Sequence, residues 1–187
     1  MTIEKLTPIR LTYEDYCVLP EDGKRYEIID GDLFMSPAPS FWHQRYLVRI
    51  LTSISTYLEL HPIGEAVVAP LDVILDDENI VQPDLVFISQ AKAHLIAKRG
   101  LEGAPDLIVE VLSPSNRRRD EVVKRALYEK HGVEEYWMVD SEADTVRIYR
   151  LTDDGYVEAV VLTAEAGDVL TSPMLPGFAL PLEKLFA

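Results

Sequence analysis

The sequence predicts an α/β fold whose core runs helix, strand, strand, strand, helix, strand (αβββαβ). An N-terminal hairpin precedes this core and a C-terminal antiparallel meander follows it. Three observations carry that reading. Leu47, Ile50, Leu51, Ile54, Tyr57 and Leu58 recur at helical spacing and give one long helix an apolar stripe. The runs 80–88 and 107–112 are short, apolar and β-branched, as buried strands are. Asp30-Gly31 and the turns at 141–144 and 153–155 separate alternating segments, which marks hairpins.

The elements follow in order. Thr12 can cap a short helix through Leu19, closed by Pro20. Glu21 to Lys24 is a polar turn, and strands 25–29 and 32–36 flank Asp30-Gly31. Ser40 caps the helix 41–60, which Pro62 and Gly64 end. Residues 65–75 read as extended, with a bend at Pro70, and carry Asp72. The segment 76–79 is an acidic turn that lacks the glycine and terminal glutamate of a calcium loop. The strand 80–88 contains Pro83-Asp84; 91–99 is a short helix or lid, and 100–103 a loop. The strand 107–112 leads through Ser113-Pro114 to a helix over 117–130, capped by Ser115 or Asn116 and stopped at Gly132. Strands 135–139, 145–151 and 156–162 form the meander. The tail, 175–180, is extended and ends in a small helical cap.

Composition bounds the function. The chain has 187 residues, 48% of them hydrophobic, enough for one domain with a sizeable core spanning residues 1–187. No apolar run approaches the length of a membrane span, and the first ten residues lack the apolar stretch of a signal peptide, so a cytoplasmic protein is expected. The single cysteine, Cys17, excludes an intramolecular disulfide and reads as a small core residue. The net charge of −14 opposes tight non-specific DNA binding. Phosphate can be met only by a local cationic patch, or after metal ions offset the carboxylates.

The chemistry concentrates between Pro105 and Tyr128. Glu110 interrupts an apolar strand, and a carboxylate there is costly unless paired or bound to a metal. Asp106, Ile108, Glu110 and Leu112 share one face. Asp106 and Glu110 are ~13 Å apart at ~3.3 Å per residue, too far to act as a close pair. Asp84, followed by Leu85-Val86-Phe87-Ile88, meets the same test. Asp120, Lys124 and Tyr128 recur at i, i+4 and i+8, so the helix can return Lys124 to Glu110. Glu27 reads as a solvent-facing hairpin residue. His43 sits at the buried edge of a helix N-terminus, where a capping or core hydrogen bond is the commoner role. Arg117-Arg118-Arg119 place three cations where they oppose the helix dipole, which a phosphate-binding role would explain.

The segments Tyr26–Gly31, His43-Gln44, Gln82–Leu85, Pro105–Ser115, Gly132–Trp137 and Leu175–Phe178 resemble the Uma family of restriction-endonuclease-like proteins, within the PD-(D/E)XK nuclease superfamily. The resemblance covers nearly the whole chain. It implies a restriction-endonuclease-like fold with a mixed central sheet and metal-dependent hydrolysis of phosphodiester bonds, in DNA before other nucleic acids. Asp84 and Glu110 would hold Mg²⁺ or Mn²⁺, with the Val111 carbonyl a third ligand. Lys124 would orient water or hold phosphate, Glu27 would add an acidic ligand, and His43 would position water. A homodimer is expected, as for nucleases that cut both strands. The superfamily places a lysine two residues after the acid, and here that residue is Leu112; the amine then comes from Lys124. This departure, with the acidity, leaves two rivals: an inert nuclease-fold scaffold, and a hydrolase of small phosphorylated molecules.

Overall fold

The computed structural model describes residues 9–20, 22–114 and 117–187. In chain order the elements are α1 (Tyr13–Cys17), β1 (Arg25–Ile29), β2 (Asp32–Ser36), α2 (Phe41–Leu60), β3 (Gly64–Val68), β4 (Val73–Asp76), β5 (Asn79–Val81) and β6 (Leu85–Ser89). A 3₁₀ turn (Gln90–Leu95), β7 (Ile96–Ala97), β8 (Gly100–Glu102) and β9 (Leu107–Val111) follow. A π-helical turn (Arg119–Lys124) runs into α3 (Arg125–His131). The chain then forms β10 (Glu135–Asp140), β11 (Thr145–Thr152), β12 (Gly155–Thr163), β13 (Val169–Ser172), β14 (Leu175–Pro181) and α4 (Leu182–Phe186). The proposed cap at Ser115 or Asn116, Glu21 and the first eight residues lie outside the described residues.

Among the described residues the strands make two six-stranded sheets and a small pair, β13-β14. The central sheet, β12-β11-β10-β9-β6-β3, is mixed: β9 and β10 are parallel, and the other neighbours are antiparallel. β9 lies inside this sheet and is buried along its whole length. Leu107, Val109 and Val111 pack with Tyr46, Leu47, Ile50 and Ile54 of α2. Ile108 and Leu112 pack on the other side with Val81, Leu127 and Tyr128. The alternation of the strand therefore delivers Glu110 to the second side, among α3 and the other sheet.

That other sheet, β2-β1-β5-β4-β8-β7, begins with the expected hairpin. Asp30 and Gly31 both take positive φ, as the tight turn requires. The extended stretches 65–75 and 80–88 differ from the sequence reading, because each divides between the two sheets. β3 and β6 belong to the central sheet, and β4 and β5 to the other. Pro70 and Pro83 lie at the crossings, where a residue without an N–H costs no ladder bond. Asp72 consequently sits outside the site: its Oδ1 accepts from the Tyr16 hydroxyl at 2.7 Å and from Gln82 Nε2 at 2.8 Å.

Four smaller expectations are also corrected. Residues 91–99 give a 3₁₀ turn and the start of a β7-β8 hairpin, and the stretch 100–102 is a strand because it pairs with β4. β13 pairs with β14 where no strand was expected. Cys17 is exposed, since α1 is short and buries none of its residues. The helix over 117–131 ends at Gly132 in the left-handed conformation, as anticipated, with a π turn inside it.

Candidate active site

Six elements converge on one polar cluster. β1 supplies Glu27, the first turn of α2 supplies His43, and the crossing before β6 supplies Asp84. β9 supplies Glu110, the π turn supplies Asp120 and Lys124, and α3 supplies Tyr128. Glu27 is 1% exposed and Glu110 and Lys124 are each 3% exposed. This corrects the solvent-facing reading of Glu27: β1 is covered on that face by the π turn.

Lys124 is the hub. Its Nζ lies 2.8 Å from Glu27 Oε1, 2.8 Å from Glu110 Oε1 and 3.9 Å from Asp120 Oδ1. Glu110 Oε1 also accepts from the Tyr128 hydroxyl at 2.8 Å, and Glu27 Oε1 from the Gln82 backbone N–H at 2.9 Å. Asp84 forms the opposite wall. Its Oδ2 is 2.9 Å from His43 Nε2 and accepts the Val111 N–H at 2.9 Å. A carboxylate can only accept, so the imidazole donates from Nε2. Arg25 approaches Asp84 Oδ1 at 3.8 Å.

The three arginines separate. Arg119 turns inward: it donates to Ser36 Oγ at 2.8 Å and lies 3.7 Å from Glu27 Oε2. Arg118 is exposed. Arg117 turns away to Asp140, at 2.7 and 3.0 Å, and to Glu142 at 3.0 Å. Its phosphate-binding reading is therefore corrected to a structural ion pair. Consecutive helix positions point about 100° apart, so one run of cations could not serve one site. Sequence reasoning did not assign Arg25, Asp120 or Tyr128 to the cluster. The shared helical face of Asp120, Lys124 and Tyr128 was the available signal for the last two.

Burial drives the electrostatics. It raises the Glu110 carboxyl to about 8, helped by Asp84, Asp120 and Glu27 and opposed by Lys124. Burial likewise lifts Asp120 to about 6. For Glu27 burial acts upward but Lys124, the Gln82 N–H and Arg119 outweigh it, so its pKa falls. For Asp84 burial is outweighed by His43 and the Val111 N–H, and its pKa falls too. Burial would lower Lys124, but Glu110, Glu27 and Asp120 raise it, so the amine stays charged at neutral pH.

Asp84, Glu110, Asp120 and Lys124 line a small polar cavity of about 20 Å³, which Arg25, Ser36, His43 and Arg119 also border. That is room for one water-sized particle. Glu27 Oε2 and His43 Nδ1 are buried without a hydrogen-bond partner. Among the described residues, no three His, Cys, Asp or Glu side chains converge to hold a metal ion as the side chains stand, because Lys124 draws Glu110 and Glu27 to itself. Hard oxygen donors around an ion-sized polar cavity nonetheless fit Mg²⁺ or Mn²⁺ by type and by space.

A model of the Uma2 family, described as "Putative restriction endonuclease", matches residues 13–183. Uncharacterized protein slr1290 of Synechocystis sp. is 26% identical over 166 residues, covering 86% of this chain and 84% of that protein. The crystal structure of "a putative nuclease belonging to DUF820" from Anabaena variabilis aligns with a TM-score of 0.78 at 21% identity, over 94% of this chain and 97% of that one. The two chains share their α/β fold.

Proposed function

The chain belongs to the Uma2 family, and from that premise we propose that its buried acidic cluster hydrolyses phosphodiester bonds, in DNA before other nucleic acids, with Mg²⁺ or Mn²⁺. The observation that carries this reading is the charged Lys124 amine held 2.8 Å from both Glu27 and Glu110, beside a polar cavity bounded by Asp84. Asp84 and Glu110 would hold the cation, with the Val111 carbonyl a candidate third ligand. When bound, the cation supplies an activated water and stabilises the charge that gathers on phosphorus oxygens.

The chain's own groups divide the remaining work. His43 and the Val111 N–H fix the Asp84 carboxylate in orientation. Burial biases Glu110 towards its protonated form and Lys124 opposes that bias, so Glu110 is the carboxyl of the cluster whose charge a bound cation would most favour. Lys124 is too basic to accept a proton, so its part is electrostatic: it faces charge that develops in the transition state. Glu27 holds Lys124 in place from β1. Arg119 and Arg25, at the cavity wall, would meet non-bridging phosphate oxygens.

Cleavage of plasmid DNA with Mn²⁺, followed on gels, tests the reading. Wild type should cut, and Asp84→Asn should not. Lys124→Ala should lose on the order of a hundredfold in rate, the equivalent of ~3 kcal/mol of transition-state stabilisation, while Mn²⁺ binding by calorimetry persists. Wild type that binds Mn²⁺ but cuts no nucleic acid would overturn it. A second reading, an inert nuclease-fold scaffold, is favoured by the same ion pairs: Lys124 already compensates Glu27 and Glu110. On that reading Mn²⁺ produces no calorimetric response, and Lys124→Ala costs a few kcal/mol of stability.

A homodimer is part of the proposal. β12 is a nine-residue edge strand with Val157 and Val161 exposed and Glu158 its only charge. Edges of that length and apolarity are ordinarily covered, and a two-fold copy of the same edge would cover it.

A further inference from the structure

A groove of about 730 Å³ opens beside the acidic cavity and shares Arg25, Ser36 and Gln82 with it. We propose that this groove seats the unpaired nucleotides of a single-stranded nucleic acid, whose backbone it leads to the acidic cluster. The inference rests on the nuclease reading for the purpose of the groove, and on the groove's chemistry for its occupant.

The walls decide the occupant. Met35, Pro37, Ala38, Pro39 and Pro70 make the groove largely apolar, with the Gln44 amide among them. The volume is that of a site for small-molecule-sized groups. A duplex offers phosphates on its outside and keeps its bases stacked within, so an apolar groove gains nothing from it. An unpaired strand offers base faces and phosphates together. The bases would cover the apolar walls, and Arg25, the cation common to groove and cavity, would take a phosphate.

Two neighbouring features supply stacking and charge. Pro39 is followed after Ser40 by Phe41 and Trp42, which are 73% and 54% exposed and lie edge to face at 5.4 Å. The Arg45 guanidinium lies 5.1 Å over the Trp42 ring. Trp42 already stacks on Tyr46 at 6.4 Å and Arg45 already donates to the Ala187 carbonyl at 2.6 Å, so Phe41 is the ring of this turn left to stack a base. The groove also shares Lys24 and Gln82 with a second hollow lined by Tyr13, Tyr16, Tyr26 and Asp72. In a chain of net charge −14, this is a local arrangement that suits an anionic strand carrying aromatic bases.

The test is fluorescence anisotropy with a labelled oligothymidylate in EDTA, alone and annealed to its complement, with Mn²⁺-dependent cleavage of both measured separately. The single strand should bind the full-length protein at least about tenfold more tightly than the duplex. Met35→Glu should weaken single-strand binding by about tenfold at unchanged melting temperature. Ala38→Leu, which narrows the groove without adding charge or an aromatic face, should do the same and serves should the glutamate variant unfold. Equal or tighter duplex binding, unaffected by either variant, overturns the inference while duplex cleavage leaves the nuclease reading standing. Single-strand binding without cleavage supports the groove and counts against the nuclease. Neither binding nor cleavage overturns both.

Discussion

Glu110 is a carboxyl whose folded-state pKa, about 8, lies above its ordinary 4.5 because burial penalises its charge. Across that window the folded protein keeps a proton the unfolded chain has released, so cation-free stability falls as pH rises from about 4.5 to about 8. Asp120, raised to about 6, acts in the same direction. Glu27 and Asp84 are depressed, so their contribution is lost only in stronger acid. Urea titrations in EDTA should therefore give a higher midpoint at about pH 5 than at about pH 8.5, and Glu110→Gln should flatten that difference. A midpoint that rises with pH in wild type would show that Lys124 outweighs burial and holds Glu110 ionised. Residues of this kind are legible in a sequence because a carboxylate inside an apolar run must be explained, as Glu110 and Asp84 were. Glu27 was not legible: it alternates with apolar neighbours as any half-exposed hairpin residue does, and only the docking of the π turn over β1 buries it.

The π turn from Arg119 to Lys124 shows what an element decides. It keeps Asp120 and Lys124 buried on one side and hands Tyr128 of α3 to the same carboxylate. Irregular turns of this kind recur at functional sites because they aim side chains that a regular helix cannot. The helix itself was predictable from its spacing and from Gly132, but the π turn leaves no pattern in side-chain type. Arg117 anchors the helix to the end of β10 through its two bonds to Asp140. That guanidinium holds the Asp140 carboxyl below the usual range. Asp140→Asn should cost about 1 kcal/mol at neutral pH by chemical denaturation. The cost should vanish as pH falls through the depressed pKa, where wild type loses the same charge. Arg117→Ala should lower stability similarly and leave single-strand affinity unchanged, the opposite of what a phosphate contact would do. The long apolar runs were legible as strands but not as two strands each, since Pro70 and Pro83 mark breaks without saying which sheet each half joins.

At the scale of the molecule, the order of core elements was readable from periodicity, whereas the second six-stranded sheet was not, because its strands are short and drawn from distant parts of the chain. The exposed β12 edge gives the whole-molecule prediction. Light scattering at micromolar concentration should report twice the mass of one chain, and Val161→Lys should reduce it to one. A wild-type protein of single-chain mass would remove the edge-pairing proposal and leave the site untouched. The two crossings at Pro70 and Pro83 have a consequence of another kind. Glu27 stands in one sheet, Glu110 in the other, and Asp84 at the seam between them. The cluster is thus a conjunction: neither sheet owns it, and it exists only while both are joined. On the proposed function, a chain that has formed one sheet and not the other would carry no fraction of the activity, so loss of the proposed cation binding on unfolding should coincide with loss of the whole fold, and a half-assembled molecule would leave nucleic acid uncut.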